Sequence, residues 1–207
     1  MTGGGKVHWE SVHSNKHADQ VSWWQPEPNR SLQLIEASGV SLDDPVIDVG
    51  AGASTLVDHV LAAGYRDVTV LDVAQAALEQ VRERLGERAG EVGFIEADIT
   101  RWVPRSTYAL WHDRAAFHFL VNPDDRKCYH AALTGALRPG GQVIISTFGM
   151  GGPERCSGLD TVRYSAATLS AELGNDFQLV DSMIDIHTTP WGAEQAFLFC
   201  RFKRTTS

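Results

Sequence analysis

From residue 31 to residue 148, short apolar runs alternate with stretches whose apolar residues recur every three or four positions, the pattern expected of a parallel sheet covered by helices. Leu32, Leu34, Ile35 and Val40 stand near helical spacing, and Gly39 closes that run. A first strand starts at Val46, and the helix after it carries Leu56, Val57, Val60 and Leu61 on one face before stopping at Gly64. Asp67 to Leu71 reads as a second strand ending at Asp72, with Ala74, Leu78, Val81 and Leu85 marking the next helix. A third strand, Val92 to Glu96, ends at Ala97-Asp98-Ile99, and a fourth, Tyr108 to His112, ends at Asp113-Arg114. A helix from Pro123 to Leu137, a turn at Arg138 to Gly141 and a fifth strand from Gln142 to Phe148 complete this alternation. The glycine-rich stretch from Phe148 to Leu159 reads as a mobile loop. Ser165 to Leu173 is a last helix, followed by strands over Phe177 to Ile186 and Ala196 to Phe202 with a turn at Thr189 to Gly192. That turn is too short for a crossover, so the two strands must be antiparallel neighbours. The expected architecture is α/β, with a seven-stranded, mostly parallel sheet, an antiparallel C-terminal strand and helices on both faces.

Ahead of this pattern, residues 1 to 5 read as a flexible tail and Lys6 to Asn29 as a polar segment holding Trp9, Trp23 and Trp24 before Pro26 and Pro28. The expected division is an N-terminal lid segment over residues 1 to 30 and a main domain over 31 to 207. A helix would place His13 and His17 on one face, but no acidic third ligand stands in register, and no metal site is expected. With 207 residues and 43% hydrophobic content the chain can bury one sizeable core. A net charge of −8 with no concentrated basic run disfavours nucleic acid, whose phosphates need clustered Lys and Arg. There is no apolar run of the roughly 18 to 20 residues that span a bilayer and no apolar signal-peptide core, so a cytoplasmic protein away from membranes is expected. Cys128, Cys156 and Cys200 are widely spaced and odd in number, which suggests free thiols.

In an open α/β sheet, ligands bind beyond the carboxyl ends of the strands where the strand order reverses. The first strand runs through Asp48 into Gly50-Ala51-Gly52, and Ser54 opens the helical pattern beyond. Glycines there let a ligand approach the main chain, and free N–H groups at the helix start would face its anionic end. Asp72, 24 positions after Asp48, is placed to accept both hydroxyls of a ribose. Val73 and Ile99 are placed to sandwich an adenine ring while Asp98 accepts from its amino group. A dinucleotide and S-adenosylmethionine both suit this frame. The dinucleotide fingerprint needs a third glycine, and Thr55 stands there instead. Asp48 suits a ligand with a cationic amino group.

On these motifs residues 46 to 203 resemble the class I S-adenosylmethionine-dependent methyltransferases, whose sheet is Rossmann-like. The glycine motif of that family is matched by Asp48-Val49-Gly50-Ala51-Gly52, its ribose acid by Asp72, its adenine contact by Asp98-Ile99 and its antiparallel last strand by the C-terminal hairpin. Trp111 to Leu133 further resembles a segment of thiopurine-type thiol methyltransferases, matching at Asp113, Arg114 and Ala116, then at Asn122, Pro123 and Asp125 to Tyr129. Ala115 departs from that family, which has glycine there. The resemblance implies that Arg114 lies beside the acceptor and that Trp9 and Trp23 or Trp24 cover the cofactor. Val21-Ser22-Trp23-Trp24-Gln25-Pro26 is similar to the opening of another methyltransferase group that includes citrate synthase lysine methyltransferases.

Methyl transfer from a sulfonium is an in-line displacement onto an unprotonated nucleophile. A thiol of pKa about 8.5 is more readily available than a lysine near 10.4, and Arg114 would favour a thiolate over an approaching ammonium. Asp113 would hold the donor's amino group or orient Arg114, and His112 and His118 are candidate proton acceptors. The loop Gly149 to Leu159 and the turn His187 to Trp191 should shape the acceptor pocket, with Arg155, Cys156 and Trp191 as contacts. The sequence carries no Asn-Pro-Pro-Tyr after the fourth strand, which disfavours base methylation. The expected activity is methyl transfer to a small molecule, a thiol or similar chalcogen favoured. The rivals are a protein lysine methyltransferase and a non-catalytic domain that binds S-adenosylmethionine.

Overall fold

The structure, a computed structural model, describes residues 4–205. In chain order the strands and helices are α1 (Gly4–Asn15), α2 (Asn29–Ser38), β1 (Val46–Val49), α3 (Leu56–Ala62), β2 (Val68–Asp72), α4 (Gln75–Leu85), β3 (Val92–Glu96) and β4 (Tyr108–Arg114). They continue with α5 (Pro123–Ala136), β5 (Leu137–Phe148), β6 (Arg155–Cys156), β7 (Leu159–Asp160), α6 (Ala166–Leu173), β8 (Phe177–Thr188) and β9 (Glu194–Arg204). The main sheet has seven strands in the order β3-β2-β1-β4-β5-β9-β8, with β6 and β7 forming a separate hairpin. The first five are parallel, and β9 runs antiparallel to both β5 and β8. This is the seven-stranded, mostly parallel sheet that the sequence implies. The order reverses between β1 and β4, which puts the ligand crevice above the ends of those two strands.

Parallel strands buried on both faces need apolar residues at nearly every position. All four residues of β1 and all five of β2 are buried. Alternation along β1 sends Val46 to one core and Ile47 and Val49 to the other. The first core takes Leu34 and Ile35 of α2, Val57, Val60 and Leu61 of α3, and Leu78 and Val81 of α4. The second takes Tyr129, Leu133 and Ala136 of α5 and Leu169 and Leu173 of α6. Local signals set the later helices. Asn122 caps α5 by accepting from Asp124 N at 3.0 Å, with Pro123 in its first turn, and Ser165 and Thr168 form a capping box on α6.

Several expectations need correction. Of the tail expected at residues 1 to 5, residues 1 to 3 lie outside the described residues, and Gly4 and Gly5 open α1. That helix is held from outside: Lys6 pairs with Glu96, the Glu10 carboxylate accepts from Ala76 N at 3.2 Å, and Gln80 donates to the His13 carbonyl. It ends at Asn15, so His13 and His17 share no helix face. Arg138 to Gly141, expected as a turn, is a bulge inside β5: Tyr108 pairs with Leu137 and Leu110 with Gln142, so five steps along β5 match two along β4. The loop from Phe148 to Leu159 is pinned rather than loose. Gly149 N donates to Ala196 O, Gly152 N to Gly149 O, and β6 pairs with β7. No helix of the described residues is long and apolar enough to cross a membrane, and Cys128, Cys156 and Cys200 are free.

Candidate cofactor and acceptor site

The turn after β1 is tied to its own scaffold. Gly50 and Ala51 donate their N–H groups to Leu71 O at 2.8 and 3.1 Å, Gly52 N to Asp72 Oδ2 at 2.8 Å, Ser54 N to Ala51 O, and Leu56 N to Ser54 Oγ. Five N–H groups of the turn and the helix start, those of Gly50, Ala51, Gly52, Ser54 and Leu56, are therefore already engaged within the protein. The two glycines also differ in role. Both are left-handed, at φ 65° and 55°. A Cβ on Gly50 would lie 2.3 Å from the Ala116 Cβ, whereas one on Gly52 would meet only the His13 ring at 3.5 Å. Gly50 therefore serves the packing of β1 against the turn after β4, and Gly52 borders the crevice. Thr55, in the third-glycine position of the dinucleotide fingerprint, donates Oγ1 to the Gln25 carbonyl and so holds the N-terminal segment.

Asp72 closes the turn from the end of β2, its Oδ2 accepting from Gly52 N and its Oδ1 from Ala74 N, each at 2.8 Å. Burial drives its pKa up to about 6 against the pull of those two N–H groups, and the neighbouring Asp48 charge pushes the same way as burial. Asp48 is fixed by a buried chain. His112 Nδ1 is 2.7 Å from Asp48 Oδ1, and His112 Nε2 is 2.9 Å from Ser31 Oγ. Both nitrogens of His112 are thus occupied, which leaves it no free position as a proton acceptor. Ser31 is 81 residues from His112, and nothing local in the sequence links them.

At the end of β4, Arg114 Nη1 donates to the Trp23 carbonyl at 2.8 Å and its guanidinium lies 4.9 Å above the Phe197 ring. Burial lowers its pKa to about 10. His118 Nδ1 accepts from Phe148 N at 3.1 Å, and burial, with Arg114 nearby, takes the ring's pKa down to about 3. A ring already using Nδ1 as an acceptor carries its hydrogen on Nε2. In this structure His118 is a neutral donor, not the proton acceptor expected of it.

One cavity of about 980 Å³, counting the space at its mouth, joins these groups. Of the residues singled out in the sequence, Trp9, Trp23, Asp48, Gly50, Ala51, Gly52, Ser54, Asp72, Val73, Ile99, His112, Arg114, His118 and Cys156 line it. Asp98, Asp113, Trp24, Arg155 and Trp191 do not. Asp98 Oδ1 accepts from Thr100 N and Oγ1. Asp113 is fully buried, accepting from Ala116 N, Phe117 N and the Tyr129 hydroxyl, and desolvation raises its pKa to about 6. Its carboxylate builds the turn that carries Ala116, and Arg114 is not among its hydrogen-bond partners. Arg155 pairs with Asp160 on the exposed hairpin, and Trp191 is 63% exposed at the β8–β9 turn. His13, weighed in the sequence only as a metal ligand, also lines the cavity, as do Phe119, Leu120, Phe148 and Phe197, which the sequence did not single out for the site. Strand periodicity marks the last two as buried but cannot say that they border a cavity.

Residues 46–141 match the family model described as a methyltransferase domain. The mouse (Mus musculus) eEF1A lysine and N-terminal methyltransferase is 22% identical over 125 residues, which are 59% of this chain and 17% of that protein. A trans-aconitate 2-methyltransferase of Sinorhizobium medicae is 29% identical over 131 residues, 62% of this chain and 48% of that protein. The chain thus spans less than half the length of either relative. Among solved structures, the N-methyltransferase NodS of Bradyrhizobium japonicum in complex with S-adenosyl-L-homocysteine superposes with a TM-score of 0.72 at 16% identity, covering 95% of this chain and 98% of that one. Sheet order and crevice are those of the class I S-adenosylmethionine-dependent methyltransferase fold, and residues 46–141 within it are similar to a methyltransferase domain.

Proposed function

We propose that this chain transfers the methyl group of S-adenosylmethionine to a small molecule whose nucleophile enters the cavity as an anion, a thiolate or similar chalcogen being favoured. The cavity fits the cofactor: it offers a carboxylate for the ribose diol in Asp72, a carboxylate for the ammonium in Asp48, and the apolar side chains Val73 and Ile99 for the adenine. The bound cofactor supplies an electrophilic methyl group on a sulfonium. The chain's own part is to align the nucleophile and to keep water out, for which Trp9 and Trp23 stand edge-to-face at 5.7 Å over the crevice.

The observation that carries the acceptor class is the Arg114 guanidinium, 4.9 Å over the Phe197 ring in a cavity that Phe119 and Phe148 also line, with Asp48 and Asp72 as the lining carboxylates. A cation there lowers the pKa of a neighbouring thiol and repels an ammonium. With His112 and His118 both unavailable as proton acceptors, the nucleophile has to arrive deprotonated, which a thiol near 8.5 does far more readily than a lysine near 10.4. The protein lysine reading is the second one, favoured by the similarity to eEF1A lysine methyltransferases. A panel of thiols, phenols, amines and candidate proteins scored for S-adenosylhomocysteine release separates them. Arg114→Met is expected to lower turnover of a thiol at least tenfold while changing cofactor affinity less than threefold. Equal turnover in the two proteins removes Arg114 from the reaction, and tight cofactor binding without turnover of any acceptor supports the non-catalytic alternative.

A further inference from the structure

Helix α1 brings two side chains one turn apart, Trp9 and His13, to the wall of the cavity. Trp9 is engaged in packing, edge-to-face with Phe119 at 4.9 Å and with Trp23 at 5.7 Å. His13 is buried, at 7% exposure, yet neither of its ring nitrogens has a hydrogen-bond partner among the described residues. Neither is sealed off, in contrast to the Nε2 atoms of His8 and His118. A polar ring so far removed from bulk water, with nothing to bond, costs free energy until a ligand supplies the partner.

The place of the ring is set from two sides. Gln80 of α4 donates to the His13 carbonyl, and Ala76 N donates to the Glu10 carboxylate, which docks α1 on the domain. The ring edge then comes against Gly52, where a Cβ would stand 3.5 Å from Cε1 and 3.6 Å from Nε2 of His13. Gly52 is also the residue whose N–H donates to Asp72 Oδ2 at 2.8 Å. His13 and Asp72 thus meet at one glycine, whereas Gly50, two residues beyond Asp48, abuts Ala116 instead. Burial alone brings the pKa of the His13 ring down to about 4, so near neutral pH it carries one hydrogen and no charge.

We propose that His13 binds the cofactor's ribose: the two hydroxyls donate to the Asp72 carboxylate, and one of their oxygens accepts the ring N–H of His13. This rests on the methyltransferase reading and deepens its cofactor site. Each hydroxyl has one hydrogen to give and lone pairs left over. A carboxylate takes the hydrogens, so the lone pairs need a donor. A neutral imidazole is such a donor and, unlike a lysine or arginine, brings no charge that Asp72 would draw into an ion pair. The cofactor's own carboxylate is the poorer match, because it travels with the ammonium assigned to Asp48 and would call for a cation. Helix α1 is then part of the cofactor site as well as a cover over it.

The test uses the full chain, calorimetry at pH 7.5 and three ligands: S-adenosylhomocysteine, its 2′-deoxy form and its 3′-deoxy form. His13→Phe keeps a flat ring over Gly52 but removes both nitrogens. It is expected to weaken S-adenosylhomocysteine about fivefold, the range of one neutral hydrogen bond. Against the deoxy form that lacks the bonded oxygen, His13→Phe and the wild-type chain should agree within about 1.5-fold. His13→Gln returns an N–H and should bind S-adenosylhomocysteine at least twofold tighter than His13→Phe, a check that holds if phenylalanine disturbs α1. Equal S-adenosylhomocysteine affinity in wild type and His13→Phe overturns the proposal. So does the same loss against all three ligands, which is what a purely structural role predicts. If the wild-type chain does not bind S-adenosylhomocysteine at all, the methyltransferase reading falls. If it binds all three ligands alike, only the ribose contacts of Asp72 and His13 are lost.

Discussion

Asp48→Asn isolates a charge from a shape. Asp48 is 6% exposed, and its Oδ1 is bonded to His112 Nδ1 at 2.7 Å. Asparagine retains an oxygen in that position, so the Ser31–His112 chain keeps its terminus and the fold should lose less than about 1 kcal/mol, the net worth of one neutral hydrogen bond. What is removed is the negative charge assigned to the cofactor's ammonium. A hydrogen bond to a charged group contributes about 1.5–3 kcal/mol, and at 1.4 kcal/mol per decade the dissociation constant for S-adenosylhomocysteine should rise about 10- to 150-fold. Calorimetry at pH 7.5 measures this, with 5′-methylthioadenosine as the internal control. That molecule keeps the adenine, the ribose and the sulfur but has no ammonium, so its affinity should stay within about twofold. Unchanged S-adenosylhomocysteine affinity refutes the assignment of Asp48. An equal loss for both ligands refutes it too, because it places the damage in the glycine turn rather than in a charge contact.

Asp72, with its pKa raised to about 6 by burial, must be ionised to accept two ribose hydroxyls. Affinity for S-adenosylhomocysteine should therefore be flat above pH 7 and fall by up to about tenfold per unit below pH 6, and a titration flat down to pH 5 would remove the ribose role. The two glycines of the turn should differ in urea denaturation. Gly52→Ala should cost about 1–2 kcal/mol for a left-handed residue, and Gly50→Ala should add an overpacking penalty of about 1–3 kcal/mol against Ala116; equal losses would contradict the packing. Tyr129→Phe removes the hydroxyl that donates to Asp113 and accepts from Trp111 Nε1, both at 2.8 Å. A loss of about 1–3 kcal/mol is expected in the same assay, and a neutral variant would show that Asp113 has no need of it.

The sequence by itself determined the sheet and the identity of the ligand-bearing edge. Short, mostly apolar runs such as Val46 to Val49 and Val68 to Leu71 read as strands buried on both faces, and short connections make the C-terminal pair antiparallel. Acids at strand ends are visible because strand ends are local. What a strand-end side chain touches is not local, and there the tertiary structure decided. Asp72 and Asp113 look alike in sequence, each closing a parallel strand, yet one lines the cavity and the other is consumed by Tyr129 and the turn after β4. Helix α1 opens with glycines and carries a weak apolar pattern, so its existence depends on Glu10, Lys6 and His13 meeting α4 and the end of β3. Ala115 adopts φ 69°, a left-handed conformation that nothing local announces in a non-glycine residue, and the bond from its N–H to Ser146 O at 2.9 Å helps to hold it. The states of His112 and His118 rest on partners 81 and 30 residues away, Ser31 and Phe148. A pattern along the chain records which side chains are buried, but only the folded chain brings together the donors and acceptors that decide what a buried side chain can do.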